Sequence, residues 1–153
     1  MMKNICPVSE ATKGYALTVV RIVLGIIFFM HGSQKVLGWW GGGGLTATVQ
    51  GMTGMGLPAV LVYVVCFTEF LGGIALILGL LTRLVALGIL VIMVGAVVTV
   101  HGPNGFFINW FLKPGVGHGY EYNLALIAMS LSLILGGGGR AALDSLCCRC
   151  QEK

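Results

Sequence analysis

Charged side chains are scarce in this chain. Only 9% of its 153 residues are Asp, Glu, Lys or Arg, against about 25% in an ordinary soluble domain. So little charge cannot cover a water-facing surface, which excludes a soluble globular protein and leaves lipid as the covering medium. A basic stripe with interleaved aromatics is also missing. The net charge of +4 is spread along the chain, which argues against nucleic acid as a partner. The five cysteines do not form a secreted disulfide framework: Cys6 stands alone, Cys66 falls inside an apolar run, and Cys147, Cys148 and Cys150 crowd the end. No small-residue cleavage pattern follows the apolar run after Lys3 and Lys13. The run continues instead into His31, Gln34 and Lys35, so it reads as a retained helix and not as a signal peptide. The glycine runs 41–44 and 136–139 do not precede Lys-Ser/Thr and a helix, so neither is a phosphate loop.

Apolar residues, by contrast, make up 57% of the chain, and glycine is abundant at 25 residues. Membrane helices tolerate glycine because small residues let backbones approach closely. A hydrocarbon core about 30 Å thick needs about 20 apolar residues in a helix. Four segments meet or approach that length: Tyr15 to Leu37, Leu57 to Leu81 opened by Pro58, Arg83 to His101, and Tyr120 to Gly137. The expected fold is an all-α integral membrane bundle of four transmembrane helices. A short interfacial helix is expected over Thr46 to Met52, and a tight turn at Thr82-Arg83. The 102–119 connection carries Phe106, Phe107, Trp110 and Phe111, which suit the headgroup level. One side of the membrane receives Lys3, Lys13, Arg21, Arg83, Arg140, Arg149 and Lys153, seven cations; the other receives Lys35 and Lys113. The positive-inside rule then places both termini in the cytoplasm. The chain divides into a cytoplasmic segment 1–14, a transmembrane domain 15–145 and a Cys-rich cytoplasmic tail 146–153.

Ionisable side chains inside a bilayer cost about 2.5–3.5 kcal/mol each on insertion scales, and they pair or line cavities. Counting from Lys35 and Leu57, taken as the outer boundaries of the first two helices, Arg21 and Glu69 fall at similar depths, about 21 and 18 Å at a rise of about 1.5 Å. An Arg21–Glu69 salt bridge is therefore expected. His31 and Lys35 lie one turn apart, His101 ends the third helix, and Glu121 begins the fourth. Together, His31, Lys35, Glu69, His101 and Glu121 are expected to line an outward-opening pocket with the Arg21–Glu69 pair as its floor. Histidine and carboxylate beside an aromatic rim suit a quinone head group, whose carbonyls need donors and whose reduction needs protons. In that reading Glu69 and His31 are catalytic and handle protons. Arg21 and Lys35 supply positive charge, and His101 and Glu121 complete the binding wall. Haem between His31 and His101 is a weaker alternative, and zinc lacks enough convergent ligands. Cys147 and Cys150 have the CxxC spacing, for which metal or redox work ranks below acylation or no role.

The order Arg21-Ile-Val-Leu-Gly25, Phe28, His31-Gly32, Lys35, Gly56-Leu-Pro58, Glu69-Phe-Leu-Gly72-Gly73 and Leu78-Gly79-Leu-Leu-Thr82-Arg83 resembles the DoxX family. So do Asn104-Gly-Phe-Phe107, Gly119-Tyr-Glu121-Tyr-Asn123 and the ending from Gly137 to Leu143-Asp144. The resemblance covers about residues 15–145. It implies a four-helix protein of a bacterial or archaeal inner (plasma) membrane. It further implies a quinone-linked oxidoreductase component, thiosulfate:quinone oxidoreductase being one such system, or a membrane anchor of a redox-stress complex. Arg21, Lys35 and Glu69 transfer as motif positions and not as established catalytic residues. The Gly41–Gly44 insertion and the Cys-rich tail depart from the family pattern. Without a haem, flavin or iron–sulfur motif, electrons would come from a soluble or membrane redox partner. No intrinsic cofactor is assigned beyond quinone, and homo-oligomerisation stays open. The rival readings are a non-catalytic membrane scaffold or assembly protein and, below it, a small-solute permease.

Overall fold

The computed structural model describes residues 10–145. Among the described residues every regular element is helical. Helix α1 is Glu10–Val36, α2 is Gly44–Gly54, α3 is Ala59–Leu78, α4 is Thr82–Ala96 and α5 is Glu121–Gly136. Helix α4 continues through a π turn at Val97–His101 and a 3₁₀ turn at Gly102–Asn104. Three stretches are long and apolar enough to cross a membrane: Gly14–Val36, Ala59–Leu78 and Thr82–Asn104. Helix α5 is apolar but has only 16 residues, or about 24 Å at about 1.5 Å per residue. The expected short helix between the first two spans is present as α2.

Helices α1 and α3 run antiparallel in very close contact. Their facing pairs are 25/77, 29/73 and 32/70, so the two numberings step in opposite directions by equal amounts. A Cβ on Gly32 would lie 2.4 Å from Phe70 Cα, and one on Gly73 would lie 2.3 Å from Phe29 N. Only glycine permits that approach, and dispersion between the backbones is its return. In this register Val36 is level with about residue 66, so about seven residues of α3, about 10 Å, rise beyond the end of α1. Helix α2 fills that step, packed on both helices.

Helix α3 ends where Gly79 adopts φ +76°, with Gly79 N–H donating to Leu76 O and Leu80 N–H to Ala75 O. The turn into α4 is thus Gly79–Leu81 and not Thr82-Arg83, which already belong to α4. The buried core joins α1, α3, α4 and α5 through Leu24, Phe28, Leu76, Ile89, Met93, Leu126 and Leu133. Outward faces carry Val60, Val64, Leu71, Leu84, Leu87 and Val91, all exposed. Water would penalise such a surface and lipid does not, so the protein contacts the bilayer through these faces. One end of the bundle bears Trp39 and Trp40; the opposite end bears Arg21, Arg83 and Arg140.

Candidate functional site

The ion pair that forms within the bundle is Lys35–Glu69. Lys35 sits in the last turn of α1, and Glu69 lies in the middle of α3, facing inward. The Lys35 ammonium donates to both carboxylate oxygens, Oε1 and Oε2, at 2.5 Å each. The two partners differ in access: the Lys35 side chain is 28% exposed and that of Glu69 3%. Gly32, one turn before Lys35 on the packed face, brings the α1 backbone against the Glu69–Phe70 backbone. That contact carries the charged ends within reach of each other. An aromatic cluster forms toward the same end of α1: Phe29 stacks on Phe70, the residue after Glu69, at 5.8 Å, and Trp40 meets Phe29 edge-on at 6.3 Å. The connection above is tied down by Gln34 Nε2 donating to Trp40 O and Thr48 Oγ1 donating to Lys35 O, both at 3.3 Å. Cys66, buried, lies one turn from Glu69.

Arg21 does not pair with Glu69. Its guanidinium, 1% exposed, donates to Leu76 O, to Ile77 O at 2.8 Å, to Gly138 O at 2.9 Å and to Ala141 O at 3.0 Å. Two of these carbonyls belong to the last α3 turn, Leu76 O accepting from Gly79 N–H as well, and there a cation also meets the negative end of the helix dipole. The depth count failed because it set Lys35 level with Leu57. Since α3 overshoots α1, Glu69 sits opposite Lys35, and Arg21 reaches the far end of α3. Arg21 therefore acts as a buried cap joining α1, α3 and the segment after α5. Asp144 performs the matching task for α4: Oδ1 accepts Leu81 N–H and Oδ2 accepts Thr82 N–H, both at 2.8 Å. Burial pushes the Asp144 carboxyl up, but the hydrogen bonds from Thr82 and Leu81 and the Arg21 charge outweigh it and hold it below the usual carboxylate value. Sequence reasoning read Asp144 only as part of the family ending. The available signal was an α4 start, Leu81-Thr82, with no capping side chain of its own in a chain holding a single Asp.

The remaining expected pocket residues lie elsewhere. His31 is exposed on α1 and does not face the bundle interior. His101 Nδ1 lies 2.9 Å from His118 O, and Glu121 Oε2 accepts Ile108 N–H at 3.2 Å. Both thus pin the 105–120 connection. The five-residue pocket resolves into the Lys35–Glu69 pair and a separately braced loop. Residues three and four apart do share a helix face, but that face is too wide to say which member points inward. Among the described residues no three His, Cys, Asp or Glu side chains are placed to hold a metal ion. Cys147, Cys148 and Cys150 lie outside the described residues.

The DoxX family model matches residues 16–102, the stretch that holds Arg21, Lys35 and Glu69. The chain belongs to the DoxX family. It is 32% identical over 126 residues to CatD of Bacillus subtilis (strain 168), a protein whose name carries a provisional oxidoreductase label; the match covers 82% of each chain. It is 39% identical over 69 residues to the inner membrane protein YqjF of Escherichia coli (strain K12), 45% of this chain and 48% of that one. An uncharacterised Haemophilus influenzae protein is 32% identical over 138 residues, covering 89% of this DoxX protein and 93% of its relative. No solved structure matches the chain. Glu121, Asp144 and the 105–120 connection fall beyond the family match.

Proposed function

We propose that this DoxX protein is the membrane subunit of a quinone-linked oxidoreductase or redox-stress complex in a bacterial or archaeal inner membrane. In this reading α5 makes a fourth span and both termini are cytoplasmic, in keeping with the seven-to-two distribution of Lys and Arg. The oxidoreductase label carried by CatD and the inner-membrane name of YqjF favour the same class of protein.

The observation that carries the reading is the unequal access of the Lys35–Glu69 pair. Two of the three Lys35 N–H donors go to the carboxylate, and one is left over on a partly exposed ammonium. A quinone carbonyl is the acceptor that donor suits, and the Phe29, Phe70 and Trp40 rings give its ring an apolar face. The residues thus fit the head group. When bound, a quinone supplies the two-electron acceptor, and its conversion to quinol takes up two protons. Lys35 orients the acceptor oxygen and favours negative charge on it. Glu69 holds the proton-relay position beside Lys35, and His31, exposed one turn earlier on α1, exchanges protons with the outside. Electrons come from a separate redox partner protein.

Quinone titration of the purified protein followed by tryptophan fluorescence tests this. Trp40 belongs to the aromatic cluster, so a bound quinone quenches it saturably, and Lys35→Ala and Glu69→Gln weaken the saturable component. Linear quenching, indifferent to both substitutions, would instead make Lys35–Glu69 a helix clamp in a non-catalytic scaffold.

A further inference from the structure

We infer that residues 105–117 form a lipid-seated interfacial anchor, which completes the span that α5 is too short to make alone. Four side chains in this loop are more exposed than is ordinary for large apolar groups: Phe107 at 75%, Trp110 at 73%, Phe111 at 85% and Leu112 at 74%. Contiguous exposure of this kind marks a surface that is covered by something.

Three observations identify lipid as the cover. The first is depth. Asn123 of α5 meets Met93 of α4, so α5 begins beside about residue 95. The apolar span of α4 runs on to Asn104, about 13 Å further at about 1.5 Å per residue. The loop rises beside that last stretch: Asn104 Nδ2 donates to His118 O at 3.3 Å, and Gly117 packs on the Asn104 side chain. The second is continuity. Val98 and Val100, exposed on that stretch of α4, extend the apolar surface of the spanning helices to the level of the loop. The third is backbone pairing. Irregular backbone is tolerated near hydrocarbon only where its polar groups are satisfied. Asn109 supplies this, with Nδ2 donating to Lys113 O at 3.1 Å and Val116 O at 2.9 Å, and Oδ1 accepting Lys113 N–H at 3.0 Å. The neck is closed by Gly119 N–H to Phe107 O, Tyr120 N–H to Gly105 O and Glu121 N–H to Phe106 O. Leu112 is held at φ +46°, which turns Phe111 and Leu112 outward together. Lys113 follows directly and places its cation at the phosphate level.

The anchor rests on the reading of α5 as a spanning helix and is independent of quinone binding. Two single-tryptophan versions of the full chain separate the two claims. Both carry Trp39→Phe and Trp40→Phe; one keeps Trp110, and the other adds Trp110→Phe and Leu131→Trp in mid-α5. Each is reconstituted in phosphatidylcholine–phosphatidylglycerol vesicles with lipids brominated near the headgroup or near the chain end. The expected result is Trp110 quenched several-fold more by the headgroup-proximal bromine, and the Leu131→Trp probe quenched more by the chain-end bromine. Trp110 quenched by aqueous iodide alone, with the α5 probe still lipid-quenched, overturns the anchor and makes the patch a protein-docking surface. Lack of lipid quenching at both positions overturns the fourth span and the anchor with it. The conservative Trp110→Phe change in the otherwise native chain gives the Trp110 share of quenching by difference, free of the Trp39 and Trp40 substitutions.

Discussion

Replacing Lys35 by methionine keeps an unbranched side chain one atom shorter and removes the cation that meets Glu69. The carboxylate then stays in place with 3% of its side chain exposed, and its α3 position offers no rotation toward lipid headgroups. Breaking a buried pair by removing one partner costs about 3–5 kcal/mol, because the surviving charge is uncompensated. The reverse change, Glu69→Gln, leaves Lys35 alone. Its side chain is already 28% exposed, and its four-carbon stem lets the ammonium move outward at about 1–2 kcal/mol. The pair is therefore asymmetric, with Lys35→Met the more damaging substitution. The double variant Lys35→Met/Glu69→Gln removes both charges and returns to within about 1–2 kcal/mol of wild type, as replaced buried pairs do. Reversible unfolding by titrated dodecyl sulfate in mixed micelles, followed by circular dichroism, gives the four corners of the cycle. Equal losses from the two single variants, or a double variant as unstable as their sum, would refute the claim that burial of Glu69 dominates the energetics.

Four further outcomes follow from the packing and the caps. Arg21→Lys offers one ammonium where a guanidinium now reaches four carbonyls, so orphaned acceptors should cost about 2–4 kcal/mol in the same unfolding assay. Gly32→Ala and Gly73→Ala should each lose about 1–3 kcal/mol, since the new methyl meets backbone. Gly51→Ala, pointing into open space on α2, should gain about 0.5–1 kcal/mol from helix propensity. Asp144 has a lowered carboxyl pKa, so below its ordinary value the unfolded chain binds more protons than the folded one. Its stabilising effect is thus complete above the ordinary carboxylate value and is lost as pH falls through the lowered one. Asp144→Asn should flatten that acid limb in a melting-temperature series, and an unchanged limb would remove Asp144 from the account.

Composition and hydropathy determined a great deal unaided. Scarce charge and long apolar runs require lipid as solvent, and Pro58, Gly79 and Gly137 punctuate the helices because proline lacks an N–H and glycine accepts a positive φ. Helix boundaries thus came within a few residues, and Lys35 and Glu69 stood out as charges that a bilayer penalises. Their partners were not legible, because partner choice depends on the offset between helices, which local periodicity does not encode. Equal outer ends would join Arg21 to Glu69. The glycine contacts at 25, 32 and 73 slide α3 along α1, join Glu69 to Lys35 and send Arg21 to the carbonyls at the end of α3. Likewise Asp144 caps α4 across 62 positions of chain, and Glu121 braces the loop before it. Such hydrogen bonds exist only once the bundle has closed, so tertiary structure alone decided which polar residues pair with one another and which backbone groups they cap.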